Sequence, residues 1–370
     1  MEPIPLDKME SYSITDLQFG STGKGLLAGF QAMIMKPDVV VTAWMPNAGH
    51  TYFHPNGTEM IHTMLANGVV SPKLKTVLIA PATVLDVDAL LRELNHAVRN
   101  RTCKDNIEVL VHENATVLQP RHSEFERNEI TRIGSTQKGS GAAIMERLRR
   151  DPAVPVTAGR LYPHGYISGI VGTDVEVRVC DHAEYMDKLY GAELLALEGA
   201  QGYSLGVHSG FYPYTTSREC TVAQLASDTL FDPAMIQHKY GACRTYPIRV
   251  ANRTKDGATY SGWSGPCYPD QEETTFEAIG QKTEFTTVTK LPRRIFTWSD
   301  RQIQEAVKVN GTTGIFLNFC NYLQEDGDTG PAWELVERIE ALTGVPVVWT
   351  GWGPLHSDVK MTMHHARTKK

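Results

Sequence analysis

No apolar run in this chain approaches the roughly 18 residues that a membrane-crossing helix needs. The amino terminus, Met-Glu-Pro-Ile-Pro, lacks the pattern of a secretory leader. The expectation is a soluble, cytoplasmic protein with no membrane partner. Cysteine is sparse: six residues, at 103, 180, 220, 243, 267 and 320, with no C-x-x-C pair. That argues against zinc sites and against a dense disulfide framework, and fits reduced thiols. Surplus positive charge is missing too. With 36 Lys and Arg against 42 Asp and Glu, the net charge is −6. A nucleic-acid-binding surface is therefore not expected, and any phosphate site must be local. Internal repeats, low-complexity linkers and a clear domain boundary are also absent. The 370 residues could fold as one large α/β domain or two smaller ones. The economical reading is one domain over 1–370, built on a large, mostly parallel sheet flanked by helices. Irregular excursions are expected near 151–175 and 252–285.

What is present begins with Leu17-Gln18-Phe19-Gly20-Ser21-Thr22-Gly23-Lys24-Gly25. A strand-like run at 12–17 leads in, a helix-compatible run at 26–33 leads out, and a second strand-like run at 39–44 follows. Glycines let backbone N–H groups turn toward an anion, a helix N-terminus adds partial positive charge, and Lys24 adds a full one. This is phosphate-binding chemistry, but the loop is not a Walker A motif. Its glycines stand two residues closer, and Gly25 follows the lysine where a Ser or Thr would ligate Mg²⁺. A metal would need another ligand, such as Ser21. The bland alternative is a glycine-rich turn that touches nothing.

Further strands are expected at 76–80, 107–111, 194–197, 244–250, 314–317 and 345–350. Helices are expected at 86–99, 142–150, 181–190, 221–227, 331–342, and up to 309 behind a Ser299-x-x-Gln302 capping box. Polar residues follow several strand ends, where α/β sheets bind ligands. They include Asn47-Ala48-Gly49-His50-Thr51, Glu198-Gly199-Ala200-Gln201-Gly202 and Asn318-Phe319-Cys320-Asn321. Ile133-Gly134-Ser135-Thr136-Gln137-Lys138-Gly139-Ser140-Gly141 reads either as a second phosphate cradle, through hydroxyls and backbone donors, or as a surface loop. Thr215-Thr216-Ser217 suits helix capping or ligand contact. Arg293-Arg294 suits a carboxylate or phosphate ligand, or a surface basic run.

These pieces, in this order, resemble the adenylosuccinate synthetase family from about Gln18 to Pro354. Its G-D-E-G-K-G loop corresponds to 20–25, its N-A-G-H-T to 47–51 and its E-G-A-Q-G to 198–202. Its I-G-T-T-x-x-G-x-G-P corresponds to 133–142, with Ala142 for the proline. Its Y-P-Y-x-T-S corresponds to 212–217, and its T-G-R-P-R-R is partly kept at 289–294. The resemblance implies a P-loop-NTPase-like α/β fold and a Mg²⁺-dependent ligase. Such an enzyme phosphorylates a purine 6-oxygen and then displaces the phosphate with L-aspartate.

By the same resemblance, Ser21, Lys24, His50 and Gln201 take the catalytic positions, with Ser21 and Gly49 at the metal. The nucleoside triphosphate falls to Gly20, Gly23, Gly25, Thr51, Asn318, Asn321, Gly353 and Pro354. The purine monophosphate falls to Ser21, Asn47, Ser135, Thr136, Gln201, Thr216 and Val250. To these the family adds a trans-acting arginine, here Arg150, or Arg149 with a one-residue shift, which implies a homodimer. Thr289 and Arg293 take aspartate.

Three departures matter. The loop carboxylate is Ser21, which removes the usual base and opens room beside the purine 2-position. That resembles the phage-encoded branch, which acts on dGMP in making 2-aminoadenine nucleotide for phage DNA. Asn321 replaces the aspartate that reads guanine, and Phe319 a lysine, which points to ATP or dATP. Leu291 replaces an aspartate-binding arginine. The alternatives are an ordinary synthetase acting on IMP, and a nucleotide-binding regulator without catalysis.

Overall fold

The computed structural model describes residues 9–362 apart from 105, 131, 168–174, 256–257 and 287–290. Among the described residues ten strands form one sheet: β1 Glu10–Asp16, β2 Val39–Thr42, β3 Thr76–Ile79, β4 Glu108–His112, β5 Glu176–Cys180, β6 Leu194–Glu198, β7 His238–Arg244, β8 Gly314–Asn318, β9 Val347–Gly351 and β10 Val359–Met361. Their spatial order is β10-β9-β8-β7-β1-β6-β2-β3-β4-β5. Every adjacent pair is parallel except β9 with the edge strand β10.

Strands buried on both faces need apolar residues in both phases of the pleat. Val40, Val77 and Ile79 face a core shared with helices α1 (Lys24–Met35) and α2 (Val87–Arg99). Val39, Val41 and Leu78 face the opposite core, with helices His182–Tyr190 and Val222–Thr229. Helices Asp300–Asn310 and Pro331–Thr343 cover β7, β8 and β9 through Ile303, Ala306, Val336 and Ile339. β1 lies between β6 and β7, strands from far along the chain, so the crevice at its carboxyl end is a topological switch point.

Several expected elements shift. The strand expected at 244–250 is two: β7 ends at Arg244, and a short strand, Ile248–Arg249, pairs elsewhere with Arg294–Phe296. Pro247 lies between them and cannot donate to a ladder. The capping box at Ser299 is half made. Ser299 accepts from the Gln302 amide at 2.9 Å, but the Gln302 side chain donates to Ser204 Oγ at 2.8 Å. Helix α3 (Pro120–Glu129) was not expected. Its sequence, PRHSEFERNE, carries no apolar stripe. Helix α4 (Ser140–Arg149) begins two residues earlier than expected, and Arg150 lies beyond it at φ 54°. The excursions hold regular pieces, including helix Ala158–Leu161 and paired strands Arg253–Lys255 and Ala258–Gly262. All six cysteines are free thiols. Among the described residues, no helix is long and apolar enough to cross a membrane.

Candidate active site

The loop after β1 turns through positive φ at Gly20 (87°), Ser21 (57°) and Gly23 (92°) before α1 begins at Lys24. A side chain at Gly23 would also collide with the Asn318 amide. At Gly25 an added Cβ would meet the Thr51 backbone at 2.6 and 2.8 Å. Glycine is therefore required at Gly23 by conformation and close approach together, and at Gly25 by close approach alone.

Beneath the loop lies a residue the sequence reading passed over. Asp16, 1% exposed, ends β1. Its Oδ1 accepts from the backbone of Gln18 (2.8 Å) and Gly20 (3.2 Å). Its Oδ2 accepts from Thr22 Oγ1 (2.5 Å) and Lys24 Nζ (3.1 Å). The Lys24–Asp16 pair is buried on both sides.

The loop opens onto a cavity of about 640 Å³. Gly20, Ser21, Gly23, Lys24 and Gly25 form one wall, and Asn47, Gly49, His50 and Thr51 a second. Ser135 and Thr136 enter from the loop before α4; Gln201, Thr216, Val250 and Arg293 complete the lining among the residues singled out above. His50 stacks on Trp44, with ring centroids 3.8 Å apart. Its Nε2 is buried with no partner among the described residues. Burial, and then the Lys24 charge, push its pKa well below the usual value, so the imidazole is neutral near pH 7. Asn47 Nδ2 reaches Thr216 Oγ1 at 3.5 Å, joining two segments 169 residues apart.

Arg293 Nη1 donates to Ser21 Oγ at 2.7 Å, across 272 residues of sequence. Burial lowers the Arg293 pKa to about 10, against the opposing pull of Glu284. Arg244 is fully buried, paired with Glu284 and stacked 3.7 Å over the Phe319 ring. It also donates to the Ser21 carbonyl at 3.2 Å. Neither Arg244 nor Glu284 carries a motif; only their meeting in space connects them to the loop.

Other expectations fall differently. The second Gly/Ser/Thr loop does not offer the N-terminal donors of α4 to a ligand. Gly139 N (2.7 Å), Gly141 N (2.7 Å) and Ala142 N (3.3 Å) all donate to the Glu126 carboxylate. That leaves the hydroxyl residues Ser135, Thr136 and Ser140 lining the cavity from this segment. Asn318 is not free to read a base: its amide donates to the Thr22 carbonyl (3.1 Å) and accepts from Phe319 N (2.8 Å). Asn321, Gly353 and Pro354 lie outside the cavity lining, with Asn321 exposed. Arg150 lines a separate cleft of about 270 Å³ with Arg147 and Arg160. Thr289 lies outside the described residues. Among the described residues, no group of three or more His, Cys, Asp or Glu could hold a metal by itself.

A glycine-rich loop with its lysine, a neutral histidine and an arginine meeting in one cavity are the parts of a nucleotide-using enzyme. The family profile described as adenylosuccinate synthetase matches residues 13–157 and 169–326. The chain belongs to the adenylosuccinate synthetase family. It is 45% identical to proteins named N6-succino-2-amino-2'-deoxyadenylate synthase from Acinetobacter phage SH-Ab 15497 and Salmonella phage PMBT28. Those alignments cover 95% of this chain and 93% and 97% of the relatives. A solved structure, Cyanophage S-2L succinoaminodeoxyadenylate synthetase (PurZ) bound to dGMP and dATP as an energy donor, superposes with a TM-score of 0.85. It is 40% identical and the match covers 98% of this chain and 97% of that one. Fully ligated adenylosuccinate synthetase from Plasmodium falciparum shares the fold, with a TM-score of 0.68 at 16% identity over 95% and 99% of the two chains.

Proposed function

We propose that this enzyme joins the amine of L-aspartate to C6 of dGMP, with dATP or ATP as phosphoryl donor. The product is a succinylated 2-aminodeoxyadenylate. The observation that carries the reading is a serine, held by Arg293, where the family's loop carries a carboxylate. The similarity to phage relatives so named supports it.

In the first step the purine 6-oxygen attacks the γ-phosphorus of the triphosphate, forming a new O–P bond as the diphosphate leaves. The N1 proton is lost in that step. In the second, the aspartate amine forms the C6–N bond and the 6-phosphate departs. Lys24 and the loop amides meet the transferring phosphoryl charge. Neutral His50 donates a hydrogen bond from its unpartnered Nε2 to the 6-oxygen, and Gln201 orients the purine. Ser135, Thr136, Thr216 and Asn47 hold the monophosphate, while Thr51, Val250 and the exposed Asn321 contribute binding. Thr289 and Arg293 receive the aspartate carboxylates.

Mg²⁺ fits the donor set. The Ser21 hydroxyl and Gly49 carbonyl are hard oxygen donors on exposed residues. An ion that takes few protein ligands and completes its shell with phosphate and water suits them. When bound it neutralises phosphate charge. The same reading takes the chain as one domain acting as a homodimer in the host cytoplasm, with Arg150 serving the partner's monophosphate. The position of Arg150 away from its own cavity supports this.

The test is product formation by purified protein with L-aspartate and Mg²⁺, from dGMP or IMP, each with dATP, ATP or GTP. Succinylated product from dGMP with an adenine donor is expected. Product from IMP alone would make the enzyme an ordinary synthetase, and no product from any mixture a regulator.

A further inference from the structure

Two carboxylates present in the family's G-D-E-G-K-G loop are absent here, as Ser21 and Thr22. A carboxylate is nevertheless bonded to this loop, from below. Asp16 is wholly enclosed and bonded to two loop amides, the Thr22 hydroxyl and Lys24 Nζ. Its Oδ2 is shared by the fully buried Thr22 hydroxyl and by Lys24, the loop's cation that lines the cavity. Asp16 thus makes, inside the protein, the bonds that a phosphate oxygen makes with such a loop: backbone N–H groups, a hydroxyl and a lysine.

We infer that Asp16 is an internal anion that competes with the nucleoside triphosphate for Lys24. It holds the loop in shape while ligand is absent, and sets how tightly triphosphate and product diphosphate are held. It is a positioning residue, acting through Lys24. The cost to the ligand is direct. Lys24 either leaves a buried counter-charge or is shared with it, and the fixed negative charge opposes the incoming phosphates in a site of low effective dielectric. What the enzyme gains is release: a loop relieved of this anion would hold its diphosphate product longer.

The inference rests on the assignment of this loop to the triphosphate, and its test separates the two. Asp16→Asn keeps an acceptor for the Gln18 and Gly20 amides but removes the charge. The probe is inorganic tripolyphosphate with Mg²⁺, titrated calorimetrically into the full chain, so that no nucleobase contact enters. The variant is expected to bind it at least about tenfold tighter than wild type, and to melt at a lower temperature without ligand. A purely structural role predicts weaker binding, because a loosened loop presents its donors poorly. Equal or weaker binding by the variant overturns the inference, even where the wild type makes product from dGMP. Tighter binding upholds it, even where no nucleotide pair is turned over and the proposed reaction fails.

Should Asp16→Asn not fold, Thr22→Val gives the opposite sign. Removing the hydroxyl leaves Lys24 the only side-chain partner of Oδ2 among the described residues, so tripolyphosphate should bind several-fold more weakly. Binding as tight as wild type in that variant also overturns the inference.

Discussion

Ser21 makes the smallest change with the largest expected consequence. Its hydroxyl accepts from Arg293 and lines the cavity. Ser21→Asp would set a carboxylate against that guanidinium and refill the space beside the purine 2-position. The ratio of kcat/KM for dGMP over IMP should fall at least about tenfold. An unchanged ratio would remove the steric account of guanine acceptance. Glu198 shows burial acting on a single group. Full burial raises its carboxyl from 4.5 to about 7, against two backbone donors at Asn67 and Gly68. A carboxyl protonated more readily in the folded state stabilises the fold on the acid side. Its contribution is complete below pH 4.5 and lost as pH rises through about 7. Glu198→Gln should therefore lose less stability than wild type across that window, by on the order of 2–3 kcal/mol. Parallel melting curves for the two proteins would contradict this.

Helix α4 illustrates how an element can spend the donors that its sequence advertises. Gly139-Ser140-Gly141 reads as an anion cradle, and the anion is Glu126. Glu126→Gln retains one acceptor and loses the charge, so urea unfolding should register a loss of about 1–3 kcal/mol. A loss under about 0.5 kcal/mol would mean that the cap is not holding the helix. The contrast with the first loop explains what was legible. Gly20 to Gly25 announces itself because glycine, lysine and a strand-to-helix switch are contiguous in sequence. Glu126 stands 13 residues from Gly139 in a helix without apolar periodicity, and Arg244 meets Glu284 across 40 residues. Asp16 ends a strand and reads as part of it until its four donors are seen. Local spacing carries backbone conformation; it does not carry which buried charge arrives from another segment.

Across the whole molecule, the parallel strands were legible because doubly buried strands must be apolar throughout. The order in which they lie was not. The Ser21–Arg293 and Asn47–Thr216 pairs span 272 and 169 residues, and only that order brings them together. The distant cleft that holds Arg150 yields a test at the same scale. Arg150→Ala and Lys24→Ala subunits, each inactive alone, should regain about a quarter of wild-type activity when mixed and allowed to exchange. No recovery, with mixed dimers verified, would remove Arg150 from the partner's site.

β1 stands fifth among ten strands, with four strands on one side and five on the other. Fraying of a sheet starts at its edges, here β10 and β5. The strand that carries the phosphate loop is therefore, with its neighbour β6, one of the two that thermal opening reaches last. The amides of Tyr12 to Asp16 should exchange with solvent deuterium only through global unfolding, while those of Val359 to Met361 exchange early. The enzyme can then loosen at its margins without loosening the anchor of its nucleotide, and the hinge for any substrate-driven closure must lie in the loops rather than in the sheet.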